Sequence, residues 1–346
     1  MTDRQTTATE LQVYSSNTPF SLESGIELPG LHVAYQSWGE LGEDRGNVIW
    51  ICHALTGSSD AASWWEGLVG PGLVFDTDRY FVICANMLGS CYGSTGPTSV
   101  DPATGSPWLN GFPLVTIRDM VRAMIVLRAH LGIQRIAVCV GGSMGGQQVL
   151  EWAVMEPERI ERIIPIATNA RHSPWGIAFN TAQRMALEAD PSFTDGSVTG
   201  GGRGLSAARA IGMISYRTAV LYNGRQRDED ERLDDYRAES YQRHQGAKLV
   251  QRFSAHAYWV LSKAMDSHDL GRGRGGAGAA LRGIRARTLV IGIDSDMLFP
   301  TAEQTFIADQ IPGAGYRVLK SPAGHDAFLI DQDRLASIIR TSTILH

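Results

Sequence analysis

The sequence is poor in cysteine. Its 346 residues include four, Cys52, Cys84, Cys91 and Cys139, and no pair has C-x-x-C spacing. Neither a disulfide framework nor a thiolate zinc site is indicated, and reduced thiols in a cytoplasmic protein are expected. Long apolar runs are also missing: no window reaches the roughly 18 uncharged apolar residues of a membrane span. The start, Met1-Thr2-Asp3-Arg4-Gln5-Thr6-Thr7, lacks the basic-then-apolar pattern of a signal peptide. There is no excess of positive charge either. Lys and Arg total 31 against 36 Asp and Glu, a net charge of −5, which argues against nucleic acid or an anionic membrane as the main partner. No internal repeat is visible.

Apolar residues make up 43% of the chain, enough for a full core. Val48–Cys52 and Tyr80–Ala85 are continuous apolar runs, as expected of strands buried on both faces. The polar first thirty residues suggest an edge hairpin leading into His32–Trp38. Val115–Leu131 repeats its apolar residues at helical spacing and stops at Gly132. Further strands are expected at Ile136–Val140, Ile163–Ala167, Thr288–Ile293 and Tyr316–Leu319. The alternation predicts an α/β fold with a mainly parallel sheet covered on both faces. The rhythm breaks near Arg171. Helices are predicted over Phe179–Ala189, Ala207–Tyr222, Asp228–Gln245 and Leu249–Met265, with glycine-rich loops at 196–204 and 271–278, the second expected to be poorly ordered. The organisation read from this is a core of residues 1–172 and 284–346 interrupted by a helical lid, 173–283.

The chemistry gathers around Gly141-Gly142-Ser143-Met144-Gly145-Gly146. An apolar strand precedes it and an apolar-periodic segment follows, the context of a nucleophile elbow. A serine hydroxyl needs a base to take its proton, and the base needs an acid to hold it. In the α/β-hydrolase fold these follow the serine in the order acid, then histidine. The strand Thr288–Ile293 runs into Asp294-Ser295-Asp296, and Tyr316–Leu319 runs into Gly324-His325-Asp326. His325 is therefore the candidate base. Asp296, further out on its loop, is the preferred acid, with Asp294 as the alternative. Of the nine histidines, His172, His244, His256 and His268 lack a strand-end position, and His53 precedes the serine. The oxyanion hole is assigned to the backbone N–H groups of Met144 and of Leu55, with Ala54 the neighbouring possibility.

His53-Ala54-Leu55-Thr56-Gly57, Gly89–Pro97, the elbow and Gly324-His325-Asp326 together resemble the homoserine O-acyltransferases of the α/β-hydrolase superfamily, the acetyltransferases of methionine biosynthesis in particular. Asp119-Met120-Val121 and Ala170-Arg171-His172-Ser173 add to the resemblance, which runs from about residue 13 to the end. It implies a ping-pong reaction: acetyl-CoA acylates Ser143, and the hydroxyl of L-homoserine, deprotonated by His325, then attacks the acyl-enzyme. It further implies that Arg217 grips the amino acid's carboxylate, that Asp326 pairs with its ammonium, and that Tyr222 borders the same pocket. It implies a homodimer, and no metal or bound cofactor. Succinyl-CoA as donor and L-serine as acceptor stay open, as does a simple esterase or thioesterase built on the same triad.

Overall fold

The computed structural model describes residues 10–345, so the heptapeptide Met1–Thr7 lies outside the described residues. One sheet holds eight strands: β1 (Gln12–Ser16), β2 (Leu31–Trp38), β3 (Val48–Cys52), β4 (Phe81–Ala85), β5 (Val138–Gly142), β6 (Arg162–Ile166), β7 (Arg287–Ile293) and β8 (Gly315–Leu319). Their spatial order is β1-β2-β4-β3-β5-β6-β7-β8. Only β2 runs against its neighbours; the other pairings are parallel. A hairpin of two short strands, Phe20–Ser21 with Glu27–Leu28, separates β1 from β2.

Strand β3 shows why the sheet is central. Its five residues alternate between two cores: Ile49 and Ile51 pack with Trp38, Trp65 and Phe75, whereas Val48, Trp50 and Cys52 face the opposite side. A strand apolar on both faces must be covered twice. Helices α1 (Ile117–His130) and α2 (Met144–Met155) supply one cover, with Trp152 packing edge-on against Trp50 at 4.8 Å. The C-terminal helix Gln332–Thr341 supplies the other through Leu335 and Ile339. No helix among the described residues is long and apolar enough to cross a membrane.

Between β6 and β7 the sheet gains no strand. Six helices follow instead: α3 (Pro174–Glu188), α4 (Gly202–Tyr216), α5 (Ala219–Arg225), α6 (Arg237–Val250), α7 (Ala255–Asp266) and α8 (Ala277–Arg282). Their limits depart from the apolar periodicity for local reasons. Helix α3 starts earlier than predicted because Ser173 caps it, accepting from Gly176 N, with Pro174 at its first position. The helix predicted over Ala207–Tyr222 is two helices. Arg217 is extended (φ −118°, ψ 152°), and Thr218 caps the next turn by accepting from Leu221 N. Residues 226–236 are not helical; there Arg232 forks onto Asp230 and approaches Asp228.

The expectation of disorder at 271–278 does not hold. Glu151 on α2, its side chain 2% exposed, receives both Arg118 and Arg274. Arg272 and Arg118 share Glu23 at 3.0 and 2.8 Å. Two arginines in the glycine-rich loop thus tie it to carboxylates on the core. Those partners are distant in sequence, so local composition gives no sign of them.

Candidate active site

The strand β5 ends at Gly142, and α2 begins at Met144; Ser143 alone makes the turn, with φ 57° and ψ −125°. A non-glycine residue holds positive φ only where its surroundings over-determine it. Here the neighbours leave no room for alternatives: a Cβ on Gly142 would meet the Phe328 ring at 2.6 Å, and one on Gly146 would meet Thr168 at 2.6 Å. Ser143 N donates to Ile166 O, and Thr168 Oγ1 donates to Ser143 O, which pins the turn to the end of β6.

Ser143 Oγ lies 2.9 Å from His325 Nε2, and His325 Nδ1 lies 2.6 Å from Asp296 Oδ2. The other Asp296 oxygen accepts from Leu298 N (2.8 Å) and Phe299 N (2.9 Å), which fixes the carboxylate's rotation. Asp294 points elsewhere, accepting from Ser321 N and joining its loop to the histidine loop. Phe299 stacks on the imidazole at 4.9 Å, and Phe328 meets it edge-on at 5.7 Å. Burial would lower the His325 pKa, but the Asp296 carboxylate, with Asp326 beyond it, more than offsets this and raises it. The imidazole is thus tuned to accept a proton from Ser143 as its oxygen attacks a carbonyl carbon. Met144 N–H opens α2, where no intrahelical acceptor exists, and Leu55 N–H donates no hydrogen bond among the described residues. Gly57 N and the His53 ring both bond Ala54 O, setting the shape of that loop. His53 is a structural residue: burial lowers its pKa to about 4, so it stays neutral and accepts from Met87 N.

Ser143, His325 and Asp326 line a cavity of about 760 Å³ between the sheet edge and the helices α3, α4, α6 and α7. Leu55 and Ala54 both lie on its wall. Arg217 and Tyr222 do not; they line a second cavity of about 80 Å³ with Tyr241. Tyr222, expected to border the acceptor pocket, lies beside Arg217 in this smaller cavity; its ring packs edge-on against Tyr241, and burial lifts its hydroxyl pKa to about 12. Arg217, expected to grip the carboxylate, stands at the edge of the large cavity, against Asp326 on its wall. Its Nε lies 2.9 Å from Asp326 Oδ2, though off the N–H axis, so the contact is an ion pair rather than a directed hydrogen bond.

The arginine that does face the cavity is Arg209. It lies two turns before Tyr216 on α4, and its guanidinium sits 5.4 Å from the Tyr216 ring centroid. It makes no hydrogen bond or ion pair among the described residues. Tyr216 in turn leans on His325, ring centroids 6.0 Å apart. The signal available in the sequence was the i, i+7 spacing of Arg209 and Tyr216 on one helical face. A second missed residue is Glu303, on the helix Thr301–Gln310 behind Asp296. Burial, and secondarily the Asp296 charge, raise its pKa to about 7, and Asn169 donates to it at 3.0 Å. Among the described residues no group of three or more His, Cys, Asp or Glu is placed to hold a metal ion.

A family model described as the alpha/beta hydrolase fold matches residues 47–332. The homoserine O-acetyltransferase of Cyclobacterium marinum is 46% identical over 330 residues, covering 95% of this chain and 94% of that protein. That of Chlorobaculum tepidum is 48% identical over 334 residues, covering 95% and 93%. Among solved structures, the homoserine O-acetyltransferase from Bacillus anthracis matches with a TM-score of 0.90 at 25% identity, covering 97% of each chain. Esterase E22 matches in fold alone, with a TM-score of 0.89 at 24% identity, covering 98% of this chain and 100% of that one. A serine relay at the edge of an eight-stranded sheet, a matching α/β-hydrolase family model and relatives nearly half identical along almost their whole length place this chain in the homoserine O-acetyltransferase family of the α/β-hydrolase fold.

Proposed function

We propose that the protein transfers an acetyl group from acetyl-CoA to the hydroxyl of L-homoserine through an acyl-Ser143 intermediate, giving O-acetyl-L-homoserine and CoA. One observation carries this reading: the cavity onto which the Ser143–His325–Asp296 relay opens also holds a cation with no hydrogen bond or ion pair among the described residues, Arg209, and a carboxylate beside the base, Asp326. Those two charges suit the two ends of an amino-acid zwitterion.

Ser143 Oγ attacks the thioester carbon while His325 Nε2 takes its proton. The oxyanion meets the N–H groups of Leu55 and Met144, and the imidazolium returns the proton to the departing CoA thiolate. Homoserine then enters. Arg209 takes its carboxylate in a forked contact, for which a guanidinium is shaped. Asp326 takes its ammonium, and Arg217 holds Asp326 in place. The homoserine hydroxyl gives its proton to His325 and attacks the acyl carbon; Ser143 regains a proton as it leaves. Water would compete at this stage, so the helical lid over 173–283 has the task of excluding it. Reduced cysteines fit a cytoplasmic enzyme, since all four are free. Trp175, Met185, Ile214 and Val220 on these helices are exposed apolar side chains that a homodimer contact would cover.

The test supplies purified protein with acetyl-CoA or succinyl-CoA, together with homoserine, serine or water, and follows free CoA and O-acyl product. The expected result is CoA release that depends on homoserine and is fastest from acetyl-CoA. Equal release with and without amino acid would overturn the transferase reading in favour of an esterase or thioesterase.

A further inference from the structure

The large cavity is uneven in charge. The chain as a whole carries −5, yet the cavity wall has three cations, Arg209, Lys248 and Arg252, against one carboxylate, Asp326, which Arg217 already engages. Arg209 is beside the relay. Lys248 and Arg252 are exposed, at the solvent end of the wall, four residues apart on α6 and the turn that leaves it. Together with Gln245 and Leu249 they form one helical stripe facing the cavity, spaced i, i+3, i+4, i+7. Leu249 is buried at 1% exposure and anchors the stripe.

The two cations differ in how they are held. Arg252 is fixed to the opposite wall: its Nη1 donates to Thr56 O (2.7 Å) and to the Tyr92 hydroxyl (2.8 Å). Thr56 directly follows Leu55, so the rim and the oxyanion loop are tied together by one guanidinium. A guanidinium has five N–H donors, so further ones stay available. Lys248 makes no hydrogen bond or ion pair among the described residues. No acidic side chain balances either cation on the cavity wall.

A CoA thioester has its reactive carbon at one end of a long arm and its phosphates at the other. With the carbon at Ser143, the phosphates must lie where the cavity meets solvent. We propose that Lys248 and Arg252 form the phosphate-binding rim for the acyl donor, which makes the donor's nucleotide end, and not only its acyl group, a determinant of specificity. The proposal rests on the acyl-CoA reading of the site. Lysine serves here as a point charge and arginine as a fork, the two ways proteins hold phosphate.

The experiment compares kcat/KM for acetyl-CoA, acetyl-dephospho-CoA and S-acetylpantetheine, each with homoserine. In the wild type, acetyl-CoA should exceed S-acetylpantetheine, and the ratio should shrink as salt is raised. Lys248→Glu should cut that ratio roughly tenfold or more, as the loss of a charge-assisted contact implies, through KM for the donor and not through KM for homoserine. Arg252→Gln is expected to act in the same direction. Arg243→Gln, on an exposed position paired to Glu239, should leave the ratio at its wild-type value. Acetyl-dephospho-CoA tells which phosphate is held: parity with acetyl-CoA assigns the diphosphate, parity with S-acetylpantetheine assigns the ribose phosphate, and either supports the rim. An unchanged ratio in Lys248→Glu, or an equal loss with both donors, overturns it. If the wild type releases no CoA from acetyl-CoA in the presence of homoserine, the functional reading fails instead, and the two failures are distinct.

Discussion

The two walls of the cavity are built on different rules. On the sheet side, each chemical group stands on the loop that leaves a strand: Leu55 after β3, Ser143 after β5, Asp296 after β7 and His325 after β8. Parallel strands end along one edge, so groups far apart in sequence are brought together by topology alone. On the helical side, Arg209, Lys248 and Arg252 stand within or just past helices whose phase and ends decide what faces inward. A residue after a strand is placed by the sheet. A residue on one of these helices is placed by caps, turns and distant partners, and a shift of one position turns it away.

The sharpest way to break this comparison is on the sheet side. Ser143→Ala should lower kcat by about 10⁶-fold, in line with the loss of a triad serine elsewhere, and mass spectrometry should find no acetyl-enzyme after mixing with acetyl-CoA. A retained acyl adduct would dismiss Ser143 as the nucleophile. Next in size, Asp296→Asn should cost about 10⁴-fold in kcat by stabilising the wrong imidazole tautomer. Asp294→Asn, whose amide oxygen can still accept from Ser321 N, should cost less than tenfold. Reversed effects would move the acid to Asp294.

On the helical side the effects are smaller and fall on the acceptor. Arg209→Ala should reduce kcat/KM for homoserine by roughly 10²-fold, as expected for a charged contact left unmade, while the burst of CoA from acetyl-CoA keeps its rate. Arg217→Ala should give a weaker acceptor defect, since it acts through Asp326. If Arg217→Ala is the more damaging for homoserine and Arg209→Ala is silent, the cavity wall has been assigned to the wrong arginine.

The smallest effect concerns Glu303. Its pKa rises from 4.5 to about 7 on folding, so the folded state holds the proton more tightly than the unfolded chain. That contribution is fully present below pH 4.5 and is lost as pH climbs through 7. Melting temperature should therefore decline over this window by roughly a few degrees, and Glu303→Gln should flatten the decline. An unaltered pH profile in the variant would place the ionisation elsewhere.

These contrasts also explain what could be read from the sequence. The central strands were legible because Val48–Cys52 is apolar on both faces, and the triad because its members obey strand-end order. Arg209 was hidden for a specific reason. The apolar periodicity through Ala207–Tyr222 is unbroken, so it gives no sign of the extended Arg217 and the Thr218 cap that separate α4 from α5. The resemblance points to Arg217, and nothing in the local pattern marks Arg209, whose place on the cavity wall depends on how the helices pack. The glycine-rich loop at 271–278 departs from its composition for a related reason: its order comes from Glu23 and Glu151, far back in the chain. Local pattern reports local forces and is silent on distant ones.

The contact between Gly142 and the Phe328 ring has a wider meaning than a tight elbow. Phe328 also rests edge-on against His325, and its own carbonyl accepts from the Trp65 indole at 2.9 Å, which prevents it from retreating. A methyl group added at Gly142 would push this ring, and the ring would push the imidazole. The nucleophile and its base, 182 residues apart in the chain, therefore share one spacer that sets the gap between them. Substitutions at Gly142 should register in the protonation behaviour of His325 before they alter the serine turn itself.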